Sequence, residues 1–216
     1  MIRIRHALSI ALLGTVFLTG CLAPENGSGM TEDVILKEVS LAGGDVVIGG
    51  PRGYCIDPAT LRKSASRSFA LIASCHILSQ GKAGTPVVPL IVSVTIGSQN
   101  MAQSELPSPE QLAGMAGAGL LAQDVTDGLV LALLDQGGDT VLEDGDSRSW
   151  RGVFVMNNRL VGLSLYAPRG SAFTGQPGAD FLRSVWRRSQ GLSSRQDAPQ
   201  SGATLLAGLF RKPITR

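Results

Sequence analysis

Histidine is nearly absent from this sequence, with only His6 and His76 among its 216 residues. A metal site built from several imidazoles is therefore excluded. Three catalytic motifs are also missing: the P-loop, the Gly-x-Ser-x-Gly nucleophile elbow and the Asp-Lys-Thr-Gly phosphorylation site of ion pumps. No motif in the chain assigns a specific biochemical activity.

Aromatic residues are scarce at 5% of the chain, whereas glycine contributes 27 residues. We therefore expect a core of Val, Leu, Ile and Ala, with many turns. Charge is unevenly distributed: residues 21–182 carry 10 Lys or Arg against 16 Asp or Glu, and residues 183–216 carry seven basic residues against Asp197 alone. Such a basic segment suits an anionic surface, and a solvated helix end is the simpler alternative. We predict no nucleic-acid partner, because the chain carries an export signal.

The N-terminal residues are typical of a secretory signal. Arg3 and Arg5 precede a mostly apolar run over residues 7–18, and small residues follow. Twelve residues of helix span about 18 Å, whereas the hydrocarbon core of a bilayer is roughly 30 Å thick. The run is too short to be a transmembrane helix, so the sequence predicts a signal peptide over residues 1–20.

The segment Leu18-Thr19-Gly20-Cys21 resembles the lipobox of bacterial lipoproteins, in which an aliphatic residue and two small ones precede an acylated cysteine. The resemblance implies that Cys21 begins the mature chain and carries two or three acyl chains such as palmitate, enough for a durable membrane anchor. The alternative is an ordinary signal peptide cut elsewhere, with Cys21 as an incidental thiol. Leu22 replaces the aspartate that would favour the inner membrane. We therefore expect the protein on the periplasmic face of the outer membrane.

Acylation of Cys21 would leave Cys55 and Cys75 as a pair in an oxidising compartment. We predict a disulfide between them, because pairing is the default there and a loop of about 20 residues adds roughly 3 kcal/mol on the chain-entropy model. A catalytic thiol is the alternative. Its nearest base would be His76, which is badly placed because adjacent residues on a strand point to opposite faces.

The mature chain divides into three segments. We predict a flexible tether over residues 21–32 and an α+β domain over residues 33–190. We predict that residues 191–216 form a linker with a basic amphipathic tail. The tail suits docking on anionic lipid or on an envelope protein. The side chains that suggest docking are Leu205, Leu206, Leu209, Phe210, Arg211 and Lys212.

Runs of alternating and β-branched residues predict nine strands within the domain. They cover residues 34–39, 45–48, 54–56, 69–75, 87–96, 129–134, 140–142, 150–156 and 159–166. Asn157 and Asn158 predict a tight turn between the last two strands, because asparagine tolerates a positive φ.

N-cap residues and helical periodicity predict three helices. Asp57 begins a helix over residues 57–66, and Ser108 begins a capping-box helix over residues 108–122. The third covers residues 179–189, with an apolar face and arginines off that face. Together with the strands they imply an α+β fold, with two or three helices packed on a mostly antiparallel sheet.

This order of elements resembles the PsbP-like fold of small periplasmic and lumenal proteins. The resemblance lies in Val-Ser-Val-Thr at 92–95, Leu-Pro-Ser-Pro-Glu-Gln-Leu at 106–112, Asn-Arg-Leu-Val-Gly-Leu at 158–163 and the final helix. It covers residues 50–190 and implies an accessory or binding protein, without catalytic residues or a cofactor to carry over.

One hydrolase hypothesis remains open. Ser74 and Ser79 flank His76, and Asp57 comes close if the disulfide forms, so a small envelope hydrolase is the alternative function. The simpler interpretation is a half-buried packing histidine at a strand end.

Two loops resemble ligand-binding loops only in part. Residues 49–53, Gly-Gly-Pro-Arg-Gly, follow a strand as phosphate loops do but lack the Gly-Lys-Ser/Thr ending, so a turn with an exposed Arg52 is the simpler interpretation. Residues 139–146 contain four carboxylates without the spacing of a calcium loop, which favours a solvated turn.

We predict no metal and no cofactor. The sequence as a whole predicts a non-enzymatic, lipid-anchored binding or accessory protein of the cell envelope.

Overall fold

The computed structural model describes residues 35–99, 106–126 and 128–197. The predicted signal peptide, the predicted acylation site Cys21, the predicted tether and the predicted amphipathic tail after residue 203 lie outside the described residues. The described strands are β1 (Glu38–Leu41), β2 (Val46–Gly49), β3 (Tyr54–Ile56), β4 (Ser68–Ser74), β5 (Ile91–Gln99), β6 (Leu120–Thr126), β7 (Leu129–Leu134), β8 (Ser149–Met156) and β9 (Arg159–Tyr166). The described helices are α1 (Cys75–Leu78), α2 (Pro109–Ala116) and α3 (Gln176–Asp197).

The fold is α+β and built on antiparallel pairing, as predicted. Strands β3 to β9 form the main sheet in the order β3-β4-β5-β9-β8-β7-β6, and β1 and β2 form a separate hairpin. Asn157 and Asn158 have φ angles of +48° and +59° and make the predicted turn between β8 and β9. None of the described helices is long and apolar enough to cross a bilayer.

One face of the main sheet is covered by α3 and the β1–β2 hairpin. Leu182 and Val185 of α3 are completely buried in the same apolar cluster as Trp150 and Phe154 of β8. The Trp150 indole also donates a hydrogen bond of 3.1 Å to the carbonyl oxygen of Gly175, just before α3. This face therefore carries the larger part of the core.

The opposite face of the main sheet, here called the open face, is covered only in part. Helix α2 packs Leu112 and Ala113 on a smaller cluster that includes Val130 and Val153. On β4 and β9 the residues of this face alternate with buried ones and stay partly exposed. The open face thus presents side chains of β4, β5 and β9 to the surroundings.

Two predicted helices are shorter than expected. The helix over residues 57–66 is only a 3-10 turn at Pro58–Thr60, capped by Asp57, because the chain then becomes extended and Arg62 pairs with Phe69. The helix beginning at Ser108 has its predicted capping box but ends at Ala116. Gly117 adopts a left-handed φ of +64°, a common helix terminator, and the next residues form β6.

One predicted strand is absent, and the boundaries of another strand and of the closing helix differ from the predictions. Residues 140–142 form turns instead of a strand, and the strand predicted over 87–96 begins at Ile91 and extends to Gln99. The closing helix runs to Asp197, so part of the predicted linker is helical. Leu192 and Ser193 explain this extension, because both are buried and Ser193 Oγ accepts a hydrogen bond of 3.0 Å from the Val47 N–H.

Candidate functional site

The predicted disulfide between Cys55 and Cys75 is present, and it excludes a free catalytic thiol at either position. The two Cα atoms lie 5.0 Å apart, within the range that a disulfide requires. Cys55 lies on β3 at the edge of the main sheet, and Cys75 begins α1 directly after β4. The bond therefore fixes a short edge strand to its neighbour.

The structure does not bring a serine hydroxyl onto the imidazole of His76. The Ser79 hydroxyl is buried and lies 3.1 Å and 3.0 Å from the carbonyl oxygens of His76 and Ala83. The Ser74 hydroxyl caps α1 by accepting from the Ile77 N–H. Nδ1 of His76 is buried and has no hydrogen-bond partner among the described residues. The geometry of a serine–histidine pair is thus not assembled.

Asp57, the third member of that hypothesis, is also engaged with backbone. Its Oδ1 accepts a hydrogen bond of 3.0 Å from the Ala59 N–H, which caps the 3-10 turn. Asp57, Ser74 and Ser79 therefore bind backbone groups near the ends of β3 and β4 and do not form a catalytic triad with His76.

The carboxylate-rich loop over residues 139–146 has a structural role at its last position. Asp146 is buried and binds the Arg148 guanidinium through both carboxylate oxygens, at 2.9 Å and 3.0 Å. These hydrogen bonds, with those from the N–H groups of Arg148 and Gly170, hold the pKa of Asp146 well below its usual range. Within the described ranges, no group of three or more His, Cys, Asp or Glu is arranged to hold a metal ion.

An apolar groove lies where the open face meets α1. It has a volume of about 280 Å³. Ile77 of α1 contributes to its wall and is 55% exposed. The lining residues are Asp57, Leu71, Ala73, Ser74, Ile77, Leu78, Pro89, Leu90, Ile91 and Leu142. Asp57 is the one charged side chain in this described lining.

An arginine occupies the centre of the open face. Arg151 of β8 is in register with Ser164 of β9, which is in register with Ser93 of β5. Its guanidinium donates hydrogen bonds to the hydroxyls of Ser164 and Tyr166 and lies 5.4 Å from the centroid of the Tyr166 ring. Arg151 forms no ion pair with any described carboxylate.

A second cleft lies beside the disulfide, and three cations line it. We call it the cationic cleft; its volume is about 330 Å³. Its lining residues are Lys37, Gly50, Pro51, Arg52, Gly53, Tyr54, Cys55, Cys75 and Arg188. The sequence correctly predicted an exposed Arg52 in a turn. It did not predict the cleft, because Lys37 and Arg188 are far from Arg52 along the chain.

Comparison with protein-family models, curated protein sequences and solved structures finds no match to this chain. The lipobox and the PsbP-like resemblance therefore stay predictions from the sequence.

Proposed function

We propose that this protein is a lipid-anchored binding module of the bacterial cell envelope, located on the periplasmic face of the outer membrane and without catalytic activity. The observation that carries the proposal is the apolar groove. Its walls come from β4, β5 and α1, and the Cys55–Cys75 disulfide joins two of the adjoining elements. A groove built on a cross-linked sheet is preformed, which reduces the entropy lost on binding.

The apolar lining of the groove favours a protein partner over a small molecule. Small-molecule pockets usually enclose about 300–1,000 Å³ with several convergent polar groups. This groove has a volume close to the lower end of that range, about 280 Å³, but nearly all its lining is apolar. It suits one or two apolar side chains of a partner segment, with the exposed Ile77 as the contact on its rim.

Site-specific photo-crosslinking in the native envelope tests this proposal. We expect a crosslinker at Ile77 to capture one discrete partner, and one at Lys82, which is exposed but does not line the groove, to capture none. Leu142→Asp should abolish the Ile77 crosslink, because it places a charge in the groove. Val141→Asp, at the exposed neighbour, should leave it intact. The groove is not the binding site if both substitutions have the same effect.

The anchor requires a separate measurement. The intact mass of the purified native protein should show two or three acyl chains on a chain that begins at Cys21. Cys21→Ser should remove the acyl mass. A native mass without acyl chains would contradict the anchored form of the proposal, whatever the groove binds.

A further inference from the structure

Three cations from distant parts of the sequence line the cationic cleft. Lys37 precedes β1, Arg52 lies in the loop between β2 and β3, and Arg188 lies on α3. All three side chains are exposed, and no Asp or Glu belongs to the described lining. The fold has therefore gathered positive charge from three separate elements into one concave surface.

Carboxylates compensate this charge very little. Glu38 lies 4.0 Å from Arg188, but it is 54% exposed and does not line the cleft. Such an exposed pair is weak because water screens it. Lys37 and Arg52 form no ion pair with the described carboxylates. A cleft that holds one sign of charge concentrates counter-ions of the opposite sign.

The backbone that forms one wall of the cleft requires glycine. A Cβ at Gly50 would lie 2.4 Å from the carbonyl oxygen of Tyr54. Gly53 has a φ of +87°, and its Cβ would lie 2.8 Å from Val87. Tyr54 follows directly and is fixed by a hydrogen bond of 2.8 Å from its hydroxyl to the Val88 carbonyl oxygen. The wall that positions Arg52 is therefore a defined turn.

We propose that the cationic cleft binds a phosphate group. A carboxylate is planar and carries one charge, so a single guanidinium satisfies it. A phosphate presents more oxygens and up to two charges, which suit two guanidiniums and one ammonium supplied by three separate elements. The sequence Gly-Gly-Pro-Arg-Gly, which alone is a poor phosphate motif, contributes here together with Lys37 and Arg188.

The phosphate can belong to a lipid headgroup or to a soluble compound. Binding of a lipid headgroup rests on the proposed function, since it requires the lipid anchor at Cys21 to hold the protein at a bilayer. Fifteen residues lie between Cys21 and Lys37, and a fully extended chain between these two residues spans at most about 55 Å. This length allows the cationic cleft to reach the bilayer surface that holds the anchor.

Calorimetric titration of the purified native protein in detergent tests the site with three probes: inorganic phosphate, dihexanoyl phosphatidic acid and acetate. We expect saturable binding of at least one phosphate probe, and at least about tenfold weaker binding of acetate. A phosphatidic acid that binds more tightly than inorganic phosphate identifies a headgroup site, whereas equal affinities identify a site for soluble phosphates.

The triple variant Lys37→Gln/Arg52→Gln/Arg188→Gln should lose at least about tenfold in phosphate affinity. The variant Arg67→Gln/Lys82→Gln/Arg169→Gln is its matched control, because it removes three exposed cations that do not line the cleft. Equal losses in both variants, tight acetate binding, or no saturable binding of either phosphate probe would overturn the site. These outcomes are independent of the acyl mass, which tests the anchor alone.

Discussion

Arg159 and Asp45 join the β1–β2 hairpin to the main sheet. Nη2 of Arg159 lies 2.7 Å from Oδ2 of Asp45, and the arginine side chain is only 4% exposed. Nη1 of the same guanidinium donates a hydrogen bond of 2.7 Å to the Ala65 carbonyl oxygen. One buried cation thus connects the hairpin turn, the loop before β4 and the start of β9.

Replacing Arg159 with Met should lower the free energy of unfolding by about 2 kcal/mol. The substitution keeps an unbranched apolar stem but removes charge-assisted hydrogen bonds from a buried position. Urea denaturation followed by circular dichroism measures the change. Arg169→Met is the control, because Arg169 is exposed and forms no ion pair with described residues. Equal effects of the two substitutions would contradict the role given to Arg159.

Asp146 should make the stability depend on pH in the acidic range. Its folded-state pKa is lowered, chiefly by the hydrogen bonds from the Arg148 side chain, so its contribution is complete above the unfolded pKa of about 4. That contribution is lost as the pH falls below about 4. We expect Asp146→Asn to lower the free energy of unfolding by about 2 kcal/mol at pH 7, and by much less at pH 2.5. A difference that stays constant between these pH values would contradict the assignment.

Gly178→Ala should be destabilising by about 2–3 kcal/mol, because the first turn of α3 has no room for a methyl group. A Cβ there would lie 2.0 Å from the Phe173 carbonyl oxygen and 2.6 Å from a ring carbon of Trp150. At Gly175 the nearest atom would be 3.5 Å away, so Gly175→Ala is a matched control with little expected effect. Urea denaturation monitored by tryptophan fluorescence compares them. Similar midpoints for both variants would show that α3 shifts to accept the methyl group.

The double substitution Cys55→Ala/Cys75→Ala should lower the free energy of unfolding by about 3 kcal/mol, since it reopens a loop of 20 residues in the unfolded chain. Reduction of the unchanged protein with dithiothreitol should produce a similar loss. The double variant should be insensitive to the reductant. A reductant effect on the double variant would point to another cause.

His76→Ala should change the free energy of unfolding by less than about 1 kcal/mol and should leave the Ile77 crosslink intact. The buried Nδ1 has no described partner, so no hydrogen bond is lost and an unsatisfied polar atom is removed. Ser79→Ala should cost more, about 1–2 kcal/mol, because the buried Ser79 hydroxyl contacts three backbone groups. Loss of an envelope phenotype in His76→Ala at unchanged stability would instead favour the hydrolase hypothesis.

Local signals in the sequence predicted most elements but not their lengths. The Ser108 capping box and the Asn157–Asn158 turn formed as predicted, because each depends on neighbouring residues. The predicted end of α3 was wrong, because burial of Leu192 beside the β1–β2 hairpin stabilises further turns of the helix. The strand β6 was missed because residues 120–122 were assigned to a helix that Gly117 ends early, and residues 123–126 were assigned to no element.

The positions of the apolar groove and the cationic cleft could not be predicted from the sequence, in contrast to most helices and strands. The disulfide could be predicted once Cys21 was set aside as the predicted acylation site, since the two remaining cysteines allow one pairing. Predicting the cationic cleft would have required the position of α3 relative to the loop after β2. That position brings Arg188 beside residues more than 130 positions earlier in the chain. No local pattern encodes that proximity.

The lateral edges of the main sheet bear on how the protein behaves at high concentration. At one edge, β6 has a bulge between Leu120 and Ala122, and its Asp124 is held by Arg183 of α3. At the other, β3 has three residues, and the Ile56 N–H already donates to the Leu36 carbonyl oxygen at 2.7 Å. The β3 edge is therefore short and already paired in part, whereas β6 keeps a regular register from Ala122 to Thr126. Strand-to-strand association of two copies at high concentration would thus have a few residues to pair with at either described edge, and more of them at β6 than at β3.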